Sequence, residues 1–266
     1  MSDPLVPAAQ QGAVLTLTLN RPAALNSFTQ AMHAELMAAL EAAAVDGSVR
    51  CVVITGAGRG FCAGQDLSDP MVSPSAPGEP PKDLGDTIAR LYRPLVQRLR
   101  SMPVPVVAAV NGVAAGAGAN LALNCDLVLA ARSASFVQAF SKIGLVTDTG
   151  GTWLLPRLVG RAKALGLVML GDKLSAAEAE RLGLIWQCVD DDALQGAAAE
   201  LAQRLAAMPT RALVANRMAM DAAQGWSMEQ ALDHEAHVQS GLGSAHDYLE
   251  GVAAFGAKRA PTFTDR

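Results

Sequence analysis

Leu15, Leu17 and Leu19 alternate with Thr16 and Thr18, a period of two that gives a strand over 14–20 one buried face. The next period is helical. Met32, Leu36 and Leu40 fall on one face, and Ser27-x-x-Gln30 ahead of them reads as a capping box. The run 51–55 is apolar nearly throughout and predicts a strand buried on both faces. A second stripe, Leu84, Ile88, Leu91, Leu95 and Leu99, predicts a helix bent near Pro94. Strands predicted over 104–110 and 126–131 bracket a glycine turn and a helix of Ala and Leu. A helix over 160–170, a second capping box at Ser175 and Glu178, and a strand within 182–190 follow. From 194 onward only helical periods occur, broken at Pro209 and at 225–227.

Strands alternating with helices predict an α/β body over 1–193 with an all-helical region over 194–266. Apolar residues make up 51% of the 266 residues and charged ones 17%, which describes a globular chain and excludes general disorder. A net charge of −4 offers nucleic acid no basic face. Cys51, Cys62, Cys125 and Cys188 have no paired spacing, so reduced thiols are expected, with neither a disulfide frame nor a zinc site. With no basic, apolar leader at the N-terminus, the expected location is the cytoplasm. The stretch 101–125 carries no charge, but Pro103, Pro105 and three asparagines make it buried strand, turn and helix, not a membrane span. Five prolines between 70 and 81 preclude a regular element there. That segment is a plain surface loop or a flap beside a site, and its place directly after a glycine-rich loop favours the flap.

Candidate chemistry begins with exclusions. Gly56-Ala-Gly-Arg-Gly-Phe61 follows a strand, but Phe61 occupies the third glycine position of a dinucleotide fingerprint and prolines replace the helix. The stretch 112–118 lacks the Gly-Lys-Ser/Thr of a phosphate loop. No Gly-x-Ser-x-Gly elbow occurs. His234 and His237 are one residue short of the zinc-protease spacing and read as surface or interface histidines. Two loops of one kind remain, FCAGQDL (61–67) and NGVAAGAGANLAL (111–123). Small residues in both let backbone N–H groups approach a ligand, and two such groups converging on one oxygen form an oxyanion hole.

The segments NRPAALNSF (20–28), GRGFCAGQDL (58–67), AVNGVAAGAGANLALNCDLVLAA (109–131), GLVTDTGGTWLLPRLVG (144–160), LSAAEAERLGLIWQCVD (174–190) and EGVAAFGAKRAPTF (250–263) together resemble the crotonase, or enoyl-CoA hydratase/isomerase, superfamily, in its order and over almost the whole chain. The resemblance implies an α/β spiral of repeated ββα units with a C-terminal helical oligomerisation region. It implies an acyl-CoA substrate, with coenzyme A as part of that substrate, no other cofactor and no metal. It implies a homotrimer or a dimer of trimers. By the same analogy the N–H groups of Gln65 and Ala117 hold the thioester oxygen as it becomes an enolate, each supplying about 3–4 kcal/mol. Ala24, Ala63, Asp66, Leu67, Gly116, Asn120 and Phe140 fall in the expected substrate-binding set. Lys258 and Phe255 are expected near the CoA phosphates, from the same or a neighbouring subunit, although a solvated tail charge explains Lys258 equally well.

Departures from the pattern narrow the chemistry. Hydratases of the superfamily carry two glutamates where this chain has Asn120 and Phe140. A single carboxylate, Asp148, stands instead where related isomerases carry an acid, with Thr147 in place of their usual proline. The resemblance thus implies an isomerase that takes the α-proton with Asp148. Such an enzyme shifts the double bond of an enoyl-CoA, or converts a ring-1,2-epoxyphenylacetyl-CoA to an oxepin-CoA. Burial beside Phe140 is expected to raise the Asp148 pKa. A helix cap is the alternative role for Asp148. A hydratase using Asn120 and Asp148, or a non-catalytic binding protein, are the alternatives for the chain.

Overall fold

The computed structural model describes residues 3–75 and 77–266. In chain order its elements are β1 (Ala8–Gln11), β2 (Val14–Leu19), α1 (Gln30–Val45), β3 (Cys51–Gly56), β4 (Gly60–Cys62), α2 (Leu84–Thr87), α3 (Arg93–Arg100), β5 (Val106–Val110), β6 (Val113–Ala115), α4 (Ala117–Leu123), β7 (Leu127–Ala131), β8 (Ser135–Val137), α5 (Gly151–Leu170), β9 (Lys173–Ser175), α6 (Ala176–Arg181), β10 (Gln187–Val189), α7 (Leu194–Ala206), α8 (Thr210–Ala223), α9 (Met228–Leu242) and α10 (His246–Gly256).

Among these residues the strands form two sheets, one ordered β1-β2-β3-β5-β7-β10 and a smaller one ordered β4-β6-β8-β9. Only β1 and β9 pair antiparallel; the other pairings are parallel. Three successive turns, β3-β4, β5-β6 and β7-β8, each give one strand to the first sheet and one short strand to the second before a helical segment. That is the spiral of ββα units that the resemblance implied. The resemblance implied a second strand in each unit, but the hydrophobic pattern did not locate these strands, because three residues are too few for alternation to register. The small sheet matters most for function, since it carries both glycine loops.

The long strands β3 and β5 are apolar on both faces because both are covered. On one side α7 lies against β3, β5 and β7, burying Leu194, Ala198, Ala202 and Ala206. The expected break after residue 193 therefore falls at the start of a helix that completes the body's core. The chain leaves that core at α8. Arg217 of α8 ties it back, with Nη1 on the Asp126 carboxylate at 2.9 Å and Nη2 on the Met102 carbonyl. Arg50 donates to the Ala206 and Met208 carbonyls at 2.7 and 2.9 Å, across the α7–α8 junction.

Local signals need three corrections. Thr29, not Ser27, caps α1, accepting from Met32 N at 3.3 Å. Ser175 does cap α6, but Glu178 turns its carboxylate to Arg181, so the reciprocal half of that box is missing. The helix before β5 is distorted not at Pro94 but in a π-helical turn over 88–92. The wide turn moves the buried stripe from Leu91 to Tyr92, which is 3% exposed. No described helix is long and apolar enough to cross a membrane.

Candidate active site

A cavity of about 280 Å³ opens between the chain after β4, the start of α4, the helix from α2 to α3 and the loop before α5. Its walls are mostly apolar, with Leu67, Val72, Leu84, Ile88, Phe140 and Ile143 among them. A larger hollow of about 530 Å³ lies between α8 and α9, apart from both glycine loops. The smaller cavity is the candidate site, because the convergent polar groups are there.

One wall is backbone. Phe28 and Gln65 form a parallel bridge in which Phe28 N donates to Gly64 O at 2.7 Å and Asp66 N donates to Phe28 O at 2.9 Å. Those bonds occupy one side of the 64–66 strand, so the Gln65 N–H is directed to the other side, toward the cavity. Ala117 opens α4, where a first-turn N–H has no partner within the helix. Neither N–H meets an acceptor among the described residues. Two glycines allow the approach. Gly64 has φ +92°, and a Cβ there would sit 2.8 Å from the Ala115 carbonyl and 3.5 Å from Ala117 N. Gly116 precedes α4 with φ +51°, and a Cβ on it would lie 3.6 Å from the Phe140 ring.

The same cavity carries a carboxylate. Asp148 is half-buried and lines the cavity. Burial raises its pKa, and the Thr149 hydroxyl, donating to Oδ1 at 2.7 Å, opposes that shift. The helix-cap role does not hold for the side chain: Gly150 is the N-cap of α5 and makes no side-chain cap bond, while Gly151 N goes to the Asp148 carbonyl at 2.8 Å. Asp148 is held instead by its neighbours. Asn120 Nδ2 donates to the Asp148 carbonyl at 2.7 Å and to Thr147 Oγ1 at 3.1 Å. Thr147 donates to Gln138 Oε1 at 2.9 Å, and Gln138 Nε2 donates to Asn120 Oδ1 at 2.8 Å, which closes a ring. Asn124 donates to the Thr149 carbonyl at 2.9 Å and so steadies a residue with φ +53°.

The cavity thus brings together Ala63, Gln65, Leu67, Gly116, Ala117, Phe140 and Asp148 of the expected set. Asn120 is a correction: it is 0% exposed and lies beneath the Asp148 loop instead of in the substrate wall. Asp66 points elsewhere, to Arg21 at 2.9 Å and Ser68 at 2.6 Å. Ala24 ends a short 3-10 turn beside the loop, where Ala63 N reaches the Leu25 carbonyl at 2.9 Å. Phe255 and Lys258 lie on α10 and just past it, both exposed and outside the cavity. Tyr92, Gln138 and Thr149 were not among the expected residues. Only Tyr92 left a trace in the sequence, an aromatic one place beyond a leucine stripe.

The fold, with two free backbone N–H groups and one carboxylate lining a single apolar cavity, is that expected of an enzyme of the acyl-CoA class. Comparison with known proteins agrees: the family described as Enoyl-CoA hydratase/isomerase matches residues 9–266, and the chain belongs to it. It is 54% identical over 253 residues to 1,2-epoxyphenylacetyl-CoA isomerase of Escherichia coli strain K12, covering 95% of each chain. It is 37% identical to 2,3-dehydroadipyl-CoA hydratase of the same organism, over the whole of both. Among solved structures, enoyl-CoA hydratase from Bacillus anthracis superposes with a TM-score of 0.90 at 30% identity, covering 98% of this chain and all of that one.

Proposed function

We propose that the protein is an acyl-CoA isomerase in which Asp148 is the base and the N–H groups of Gln65 and Ala117 are the oxyanion donors. One observation carries this reading: Asp148 is the sole carboxylate among the described residues that line the cavity, and Gln65 and Ala117, with free N–H groups, line it too. Asp148 takes the α-proton of the thioester. The electron pair moves onto the carbonyl oxygen, where the two N–H groups stabilise it. In a 3-enoyl-CoA the proton returns at the γ-carbon, moving the double bond. In a ring-1,2-epoxyphenylacetyl-CoA, loss of the α-proton starts the rearrangement to the oxepin. The second substrate is favoured by the apolar wall around Phe140 and by the activity named for the 54%-identical relative.

Hydration through Asn120 is disfavoured, since that side chain is sealed below the cavity and its amide is spent on Thr147, Asp148 and Gln138. No metal or prosthetic group is needed for the proton transfer. Ala24, Ala63 and Leu67, with the backbone of Asp66, whose carboxylate is taken by Arg21 and Ser68, form the cradle for the rest of coenzyme A, and Lys258 and Phe255 reach its phosphates from a neighbouring subunit. The assembly is a homotrimer or dimer of trimers in the cytoplasm. Its contacts use the helices after α7, where Met218, Met228, Leu232 and Phe255 are from 55% to 88% exposed. The test compares double-bond shift in a 3-enoyl-CoA with water addition to crotonyl-CoA. Isomerisation is the faster; a hydration rate far above it overturns the assignment.

A further inference from the structure

Tyr92 plays no part in the chemistry above, yet it is 3% exposed and borders the cavity. Its hydroxyl donates to Gln65 Oε1 at 2.7 Å. Gln65 Nε2 donates in turn to the Phe28 carbonyl at 3.1 Å and the Asp66 carbonyl at 3.3 Å. The Gln65 carboxamide is therefore held on both ends and turned away from the ligand space, while the N–H of the same residue faces that space.

The peptide that carries this N–H has a weakness. It joins Gly64 to Gln65, and Gly64, without a Cβ, resists rotation less than any other residue. One anchor, Phe28 N to Gly64 O at 2.7 Å, leaves the plane free to tilt about that bond. The Gln65 side chain is the second anchor. Tyr92 can serve as its fixed end because its ring is itself packed edge-on, 4.4 Å from His33 and 6.2 Å from Phe28. The π-helical turn over 88–92 brings Tyr92 to this place. His33, stacked on Phe28, has its pKa lowered to about 4 by burial, so it adds no charge at neutral pH.

We infer that Tyr92 is a positioning residue for the oxyanion site: its hydroxyl, acting through the Gln65 carboxamide, keeps the Gln65 N–H aimed at the thioester oxygen of the acyl-CoA. The inference rests on the proposed role of that N–H. Tyr92→Phe keeps the ring packing and removes one hydrogen bond. Gln65→Leu removes the other end.

The test binds a saturated acyl-CoA, ¹³C-labelled at the thioester carbonyl, and reads the carbonyl stretch by isotope-edited infrared difference spectroscopy. In the wild type the band is shifted down from its position in water by polarisation. In Tyr92→Phe and in Gln65→Leu it moves back toward the free position. For a 3-enoyl-CoA, kcat falls about five- to tenfold, the scale of one neutral hydrogen bond, while KM stays within about twofold. The double variant loses no more than either single one, because both cut the same link. A wild-type band and kcat in Tyr92→Phe overturn the proposal, and so do losses that add in the double variant. Should Tyr92→Phe not fold, a wild-type band in Gln65→Leu overturns it alone. The band requires no turnover. An active Asp148→Asn enzyme would therefore remove the isomerase reading and leave this result to stand or fall separately.

Discussion

The two walls of the cavity place their polar groups by different means. The Gln65 and Ala117 wall is backbone, aimed by strand pairing and by glycines that bring the chain so close that a Cβ on Gly64 would lie 3.5 Å from Ala117 N. The Asp148 wall is a side chain on a loop, aimed by a closed ring of Asn120, Gln138 and Thr147 with Asn124 beside it. Backbone placement is set mainly by the glycines and strand pairing, with side chains such as Gln65 and Tyr92 refining the aim. A side-chain network tolerates neither a lost hydroxyl nor an added charge, because each buried partner is then left unpaired. The asymmetry suits the chemistry. An oxyanion needs donors that do not titrate, and a base needs an environment that sets its pKa.

The largest effect is expected on the carboxylate. Asp148→Asn keeps the shape and the acceptor for the Thr149 hydroxyl, but cannot take a proton. Double-bond shift, and α-proton exchange in deuterated water, should fall by roughly a hundredfold to ten-thousandfold, as for loss of a general base. Affinity for the CoA ester, measured by calorimetry, should survive. Turnover near the wild-type rate would move the base elsewhere.

Next comes the backbone wall. Gly64→Ala puts a Cβ 2.8 Å from the Ala115 carbonyl on a residue with φ +92°. The strain is expected to cost about 1–3 kcal/mol in urea unfolding, and relief of it should part the two N–H groups and lower kcat as well. An alanine enzyme with unchanged stability and rate would show that this approach is not needed.

These two walls were not equally legible in the sequence. Gly64, Gly116 and the small residues around them announce exposed backbone, because no other residue type permits it. The long strands were legible too, since their apolar runs exceed any chance pattern. Asp148 was visible only through family resemblance; a lone Asp before Thr-Gly-Gly reads equally well as a helix cap. Asn120, Gln138 and Thr147 come from three separate segments, and no local period links a ring closed across 9 and 27 residues. Tyr92 escaped because a π turn shifts the buried register by one residue, which a 3.6-residue period cannot anticipate.

A smaller effect is expected from the ring under Asp148. Thr147→Val preserves the shape but leaves Gln138 Oε1 without its donor, and Thr147 is 7% exposed. The cost should be about 1–3 kcal/mol in urea unfolding. Loss of aim at Asp148 should also lower kcat more than it raises KM. Thr147→Ser restores the hydroxyl and should recover both. If valine matched serine in rate, the ring would matter for folding alone.

The smallest effect concerns pH and follows from burial of the same carboxylate. Burial raises the Asp148 pKa above its ordinary value, so the folded protein holds that proton more tightly than the unfolded chain does. Stability from this group is therefore complete below the unfolded pKa and declines as pH rises through the raised, folded value. Catalysis runs the other way, because the base is active only after that proton leaves; the rate should climb across the same interval. Asp148→Asn removes the titration. It should consequently be slightly more stable than wild type at pH 7, by a small rise in the urea midpoint, with the gap closing toward pH 4. A gap of the opposite sign at pH 7 would mean that the ionised carboxylate gains more from Thr149 and its surroundings than it loses by leaving water.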